Sequence, residues 1–217
     1  MFRTKLGLVL AAALTVAAVA AGIAVAEKDK GNDKNFEYAI GLWGDMPYSD
    51  VQAQTGVPNL IDDMNSQDIQ FAVQNGDLKA GSATAGSVTP TNCSDALYTQ
   101  ALGYFNSLQK PAFFATGDND WTDCDRLSNG PFTELERLTH ERSVFFSGPY
   151  ADSSMGQEQM KVEVQTAPLC QGTTSSTGQP RTMMGCLENR RWTYRKVTYA
   201  ILNVQGTCNN RCGRLGV

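Results

Sequence analysis

The sequence contains very little histidine: His140 is the single one among 217 residues. Within one chain, this excludes the zinc and iron sites that are built from several imidazoles. Basic residues are not in excess either, because 18 Lys and Arg face 22 Asp and Glu and the pI is about 5.0. We therefore expect no strongly basic surface and predict no nucleic-acid partner.

Motifs of two common enzyme classes are also missing. The sequence has no Gly-x-Ser-x-Gly elbow of a serine hydrolase and no Gly-x4-Gly-Lys-Ser/Thr loop for phosphate binding. His140 lies in a predicted helix and is interpreted as a surface or packing residue. The basic and aromatic stretch 190–196 (RRWTYRK) is interpreted as a strand with a solvated charged face rather than a nucleic-acid contact.

The N-terminus has the pattern of an export signal. Arg3 and Lys5 precede an apolar stretch over 6–25, and the small residues Ala24 and Ala26 lie just before the cleavage position. We predict a signal peptide over 1–26 with cleavage after Ala26, a polar leader over 27–36, and a secreted or periplasmic protein without membrane attachment. The alternative is an uncleaved anchor, since about 20 residues can span a bilayer.

Six cysteines in an exported chain favour disulfides over a metal site. The local pairing hypothesis joins Cys170 to Cys186 and Cys208 to Cys212. Cys93 and Cys124 then pair and tie two loops together. The rival is a metal site at 208–212, where one short cysteine pair has no second pair nearby.

Three apolar runs each end in the dipeptide Gly-Asp. The runs cover 38–43, 69–73 and 112–115, with predicted helices over 57–68 and 94–109 between them. A further helix is predicted from about residue 131, and later strands over 161–165 and 196–204. This alternation predicts α/β layering with parallel strands.

The carboxyl ends of parallel strands meet at one edge of a sheet, where ligands bind. Asp45, Asp77 and Asp118 are therefore expected to converge there. Converging carboxylates repel each other unless they are protonated or neutralised by cations, and the pattern indicates a divalent metal site. The alternative is three ordinary turns, since Gly-Asp is a common turn dipeptide.

Three segments resemble the calcineurin-like metallophosphoesterase superfamily, in particular its exported bacterial members. They are 44–48 (GDMPY), 75–79 (NGDLK) and 117–124 (GDNDWTDC), and the third is the most specific. The resemblance implies an α/β fold over 37–217, a layered sandwich of two mixed β-sheets flanked by helices. The family's later strands and histidine motifs do not occur, so we expect a domain that is incomplete at its C-terminus, as a natural short form or by truncation.

The resemblance also assigns site residues. Asp45 and Asp77 match metal ligands, Asp118 occupies the position of a metal-binding asparagine, and Asn119 occupies that of the catalytic histidine. A register shift of one residue would let either Asp118 or Asn119 face the metal. The implied cofactors are one or two divalent ions (Mn, Mg, Ca or Fe), and the implied partner is a phosphate-ester substrate.

The sequence departs from the family at two site positions. Pro47 replaces a histidine ligand, and the amide of Asn119 cannot act as a general acid, although it can donate a hydrogen bond. Two functions follow. The first is an exported, metal-dependent phosphoester hydrolase, in which Asp120 and Asp123 are structural acceptors. The alternative is a non-catalytic or truncated relative that at most binds a metal or ligand.

Overall fold

A computed structural model describes residues 37–130, 132–165 and 186–204 of the chain. The predicted signal peptide, the polar leader and the cysteine pairings at 170–186 and 208–212 involve residues outside this part. The described elements are β1 (Ala39–Trp43), α1 (Val57–Ser66), β2 (Ile69–Gln74), α2 (Asp95–Ser107), β3 (Ala112–Phe114), α3 (Glu134–Phe145), β4 (Glu163–Val164), β5 (Arg190–Tyr194) and β6 (Val197–Ile201).

The first sheet is parallel and has the order β1-β2-β3. α1, extended at its start by a π-helical turn over Gln52–Gly56, connects the first two strands, and α2 lies between the second and third. The predicted alternation of strands and helices is confirmed. β2 is buried along almost its whole length. Its continuous apolar run is typical of a parallel strand that is covered on both faces.

The second sheet is antiparallel and has the order β4-β5-β6. Its strands match the predicted segments, although β4 is only two residues long. Arg195 has a φ of 53° and lies in the turn between β5 and β6. The chain is thus a mixed α/β protein with two small sheets. In the described residues the three strands of the first sheet are parallel, with one isolated antiparallel bridge between Ala112 of β3 and Met155, and the second sheet is antiparallel. This agrees with an α/β fold, and the layered sandwich of two mixed sheets stays a prediction.

The two faces of the first sheet pack against different layers. One face, which includes Ala72 and Phe114, packs against side chains of the helices. The other face, which includes Phe71 and Phe113, packs against the second sheet. Trp192 of β5 stacks on Phe113, with ring centroids 3.7 Å apart and nearly parallel planes. The described residues therefore form helices, sheet and sheet in three layers.

The predicted charged face of 190–196 needs a correction at Arg190. Arg191 is exposed and pairs with Glu163, as a solvated face requires. Arg190, however, is buried on the same side of the strand as Trp192. Its guanidinium donates to backbone carbonyl oxygens, including that of Ser153 at 2.9 Å, and burial lowers its pKa to about 10. A buried arginine is tolerated when carbonyl oxygens replace its lost hydration.

A buried ion pair joins α3 to the segment just before β5. Arg142 donates through Nε and Nη2 to the two carboxylate oxygens of Glu188, at 2.6 and 2.5 Å. Glu188 also accepts a hydrogen bond from the side chain of Asn203, just after β6.

Among the described helices, none is long and apolar enough to cross a membrane.

Candidate functional site

The three Gly-Asp dipeptides lie next to one another at the carboxyl edge of the parallel sheet. The backbone N–H of Asp45 donates to the carbonyl oxygen of Gly76 at 3.1 Å. A Cβ atom added to Gly76 would lie 2.7 Å from the Cα of Gly117. These strand ends therefore pack backbone to backbone, and a side chain at Gly76 would separate them.

Asp45 and Asp77 are brought together through the hydroxyl of Tyr48. The Tyr48 hydroxyl lies 3.0 Å from Oδ1 of Asp45 and 3.1 Å from Oδ2 of Asp77. Both aspartates have left-handed backbone conformations, with φ of 54° and 63°. Burial, followed by the charge of Asp77, raises the pKa of Tyr48 far above its ordinary value, so the phenol is a neutral donor here.

Asn119 contacts the same carboxylate from the third strand end. Its side-chain Nδ2 donates to Oδ2 of Asp77 at 2.8 Å, and its backbone N–H approaches Oδ1 at 3.4 Å. Asp118 is exposed and acts on Asp77 through its charge. Of the two register alternatives, the structure thus places Asn119 against Asp77. The role of Asp118 as a ligand stays a prediction.

Asp120 lies beneath this surface and fixes two strand ends together. It is fully buried, and its carboxylate accepts backbone N–H bonds from Leu78 at 2.6 Å, Gly117 at 2.7 Å and Asp77 at 3.1 Å. Burial raises its pKa to about 6, although these three bonds oppose the shift. The predicted structural role of Asp120 agrees with this geometry.

Electrostatic repulsion is present in the site. Burial raises the pKa of Asp77 to about 7, and the charges of Asp120 and Asp118 add to the effect. A further buried carboxyl, Glu141 of α3, has its pKa raised well above the ordinary value, mainly by burial. Ionisation of Asp77, Asp120 and Glu141 is thus costly, and a bound proton or a nearby cation would relieve that cost.

Lys79 and Arg126 supply positive charge close to the carboxylates. Lys79 is fully buried, its Nζ donates to the carbonyl oxygen of Ala80 at 3.0 Å, and burial lowers its pKa to about 8. Arg126 is partly exposed, donates to the carbonyl oxygen of Gly81 at 2.8 Å and pairs with Asp123 at 2.7 Å. The positive charges therefore lie among the carboxylates, since Lys79 feels the charges of Asp120, Asp123 and Asp77.

A disulfide and a buried hydrogen bond hold the loop that carries Asn119 and Asp120. The predicted disulfide between Cys93 and Cys124 is confirmed, and it joins this loop to the segment before α2. The hydroxyl of Tyr98 donates to the backbone carbonyl of Asp120 at 2.7 Å, and Trp121 is buried. These contacts explain why the string 117–124 combines site residues with a tryptophan and a cysteine.

His140 lies on α3 in a packing position. Its Nε2 is 3.4 Å from the carboxylate of Asp95 at the start of α2, and its ring packs edge-on against Tyr98. This agrees with the interpretation of His140 as a surface or packing residue. The structure places it with the helices rather than with the aspartates at the strand ends.

The chemistry of the site suits a hard cation. In the part of the chain that the structure describes, no three His, Cys, Asp or Glu side chains come close enough to hold a metal ion together. Two carboxylates and one phenol oxygen nevertheless meet at Tyr48. An all-oxygen set of this kind fits Mg²⁺, Mn²⁺ or Ca²⁺ with waters completing the shell.

Reasoning from the sequence missed two site residues, Tyr48 and Lys79. Both occur in the segments that carry the family resemblance, 44–48 and 75–79. The signal that points to them is a polar side chain close behind a strand-end aspartate in each segment.

Comparisons with protein-family models, with curated proteins and with solved structures found no match to this chain.

Proposed function

We propose that this protein is an exported, metal-dependent phosphoester hydrolase of the calcineurin-like metallophosphoesterase type. The observation that carries the proposal is the contact of Asp45 and Asp77 with one hydroxyl at the carboxyl edge of a parallel sheet. Ligands bind at this edge in open α/β sheets. The predicted signal peptide places the enzyme in the periplasm or outside the cell, where it meets a phosphate-ester substrate.

Each site residue has a role that its position supports. Asp45 and Asp77 would hold the cation, and Asp118 would add a third carboxylate from the exposed side. Asn119, already a donor to Asp77, would donate to a phosphoryl oxygen of the substrate. A bound divalent ion (Mn, Mg, Ca or Fe; one or two) supplies polarisation of the phosphoryl group and a lowered pKa for the attacking water.

Positive charge close to Asn119 supports the same substrate class. Arg126 is partly exposed and lies near Gly81, where an added Cβ would also meet the side chain of Asn119 at 3.2 Å. Arg126 is paired with Asp123, and its partly exposed guanidinium beside the proposed phosphoryl donor would suit an anionic substrate. This charge supports a phosphate ester as the substrate.

The rival function is a non-catalytic or truncated relative that binds a metal or ligand without turnover. Two observations favour it. Asn119 stands where a general acid is expected, and His140 packs against Asp95 instead. In addition, no cluster of three acidic, histidine or cysteine ligands forms within the described residues.

The deciding experiment uses the purified protein, Mn²⁺ or Mg²⁺, and an aryl phosphate ester. We expect metal-dependent turnover in the wild type and in D62N, which changes an exposed aspartate on α1. We expect D77N to abolish turnover, because the variant loses a carboxylate that two site residues contact. Unchanged manganese-dependent turnover in D77N would contradict the proposal. A thermal transition that rises with metal, without turnover, supports the rival.

A further inference from the structure

Tyr48 is placed to do more than satisfy two carboxylates. We infer that its phenol oxygen is a ligand of the cation held by Asp45 and Asp77, and that it replaces the nitrogen ligand missing at Pro47. The inference rests on the proposed metal-dependent function and adds a residue and a cation class to it.

The oxygen separations match those around an octahedral cation. The Tyr48 oxygen is 3.0 Å from Asp45 Oδ1 and 3.1 Å from Asp77 Oδ2. Mg²⁺ holds oxygens at about 2.0–2.1 Å in an octahedron, so neighbouring ligands lie about 2.8–3.0 Å apart. The phenol is therefore already at the spacing of an adjacent ligand to each carboxylate.

The backbone around Tyr48 is held in place, so the oxygen need not be ordered when the cation binds. The backbone N–H of Tyr48 donates to Oε1 of Gln52 at 2.5 Å, and Pro47 is buried. Two residues further on, the Asp50 carboxylate accepts N–H bonds from Val88 and Thr89 at 3.1 and 3.0 Å. Preorganised ligands lose less entropy on binding and raise affinity.

This ligand set predicts which cations bind. Replacing an imidazole by a phenol leaves two carboxylates and a neutral oxygen, all of them hard donors. Such a set suits Mg²⁺ and Mn²⁺, whereas Zn²⁺ is commonly held by histidine and cysteine. The inference therefore includes a preference for hard cations.

The test measures Mn²⁺ binding directly, from the electron paramagnetic resonance signal of the free ion. Y48F removes only the phenol oxygen. The matched control is Y104F, since Tyr104 is also half-buried and its hydroxyl donates to the backbone carbonyl of Ala53 at 2.7 Å. We expect Y48F to raise the Kd at least about tenfold, the loss seen when a metal site loses a supporting group. Y104F should bind as the wild type does.

The outcomes separate the two proposals. A Y48F Kd within twofold of the wild type, or a tighter one, overturns the ligand role and leaves the proposed function standing. Absence of Mn²⁺ binding by the wild type overturns both. A second readout does not depend on the variant folding: saturating Mg²⁺ should shift the near-ultraviolet tyrosine absorption of the wild type. No shift in a protein that binds Mg²⁺ would also refute ligation by Tyr48.

Discussion

Asp120 offers the sharpest test of the site's electrostatics. D120N preserves the size of the side chain but removes its charge. The carboxylate accepts Leu78 N–H through Oδ1, and Gly117 and Asp77 N–H through Oδ2. An amide with its oxygen in the Oδ2 position keeps the last two bonds and turns a donor toward Leu78. That mismatch costs about 1–3 kcal/mol at any pH.

The second contribution depends on pH. The folded pKa of Asp120 is about 6 and the ordinary value is 3.8, so the folded state binds the proton more tightly. Stability is then highest at low pH and falls as pH rises from about 4 through 6. The ionised group costs about 3 kcal/mol at pH 7 and about half of that at pH 5. D120N removes this cost, so it should gain more than about 1 kcal/mol relative to the wild type between these pH values.

Urea unfolding followed by circular dichroism, at pH 5 and pH 7 with EDTA, measures the difference. D120N also removes a charge that raises the pKa values of Asp77 and Glu141, so their easier ionisation adds to the gain with the same sign. D152N, which removes an exposed carboxylate, reports the effect of a surface charge under the same conditions. If D120N changes the free energy of unfolding equally at both pH values, the pKa of Asp120 is not raised by folding and the reasoning is wrong.

Two further predictions test the packing around the site. G117A should destabilise the fold and abolish Mn²⁺ binding, because its Cβ would overlap Oδ1 of Asp77. The control is G103A in α2, whose Cβ would meet nothing within 4 Å. G103A should stabilise the protein by about 0.5–1 kcal/mol in thermal or urea unfolding. Equal behaviour of the two glycine variants would contradict the close approach. The double variant C93S/C124S opens a loop with a sequence separation of 31 and should lose about 3–4 kcal/mol in urea unfolding, whereas a loss below about 1 kcal/mol would contradict it.

The sequence predicted the first sheet well because its signals were local and mutually consistent. Each strand is an apolar run followed by Gly-Asp, and each connection carries a helix of ordinary length. Parallel order then follows from the connections, and the meeting of Asp45, Asp77 and Asp118 at one edge follows from parallel order. The pairing of Cys93 with Cys124 was predicted in a different way, by giving the other four cysteines local partners first.

Other features depend on side-chain directions that the sequence does not encode locally. Asp120 was predicted as an acceptor, but its three donors come from two loops about 40 residues apart. Tyr48 contacts Asp77 across 29 positions of sequence. Arg190 is a different case. Residues two apart in a strand lie on the same face, so the burial of Arg190 beside Trp192 could have been predicted from the sequence.

Two different sets of contacts hold the strand ends of the site, and the proposed cation binding depends on both. The second and third strand ends are locked together by Asp120 and by the close approach of Gly117 to Asp77. The first strand end reaches them through the Asp45 N–H and the Tyr48 hydroxyl. Changes at Asp120 or Gly117 should therefore alter both stability and binding. Because the loop of Tyr48 has its own anchor at Asp50, Y48F should alter binding with little loss of stability.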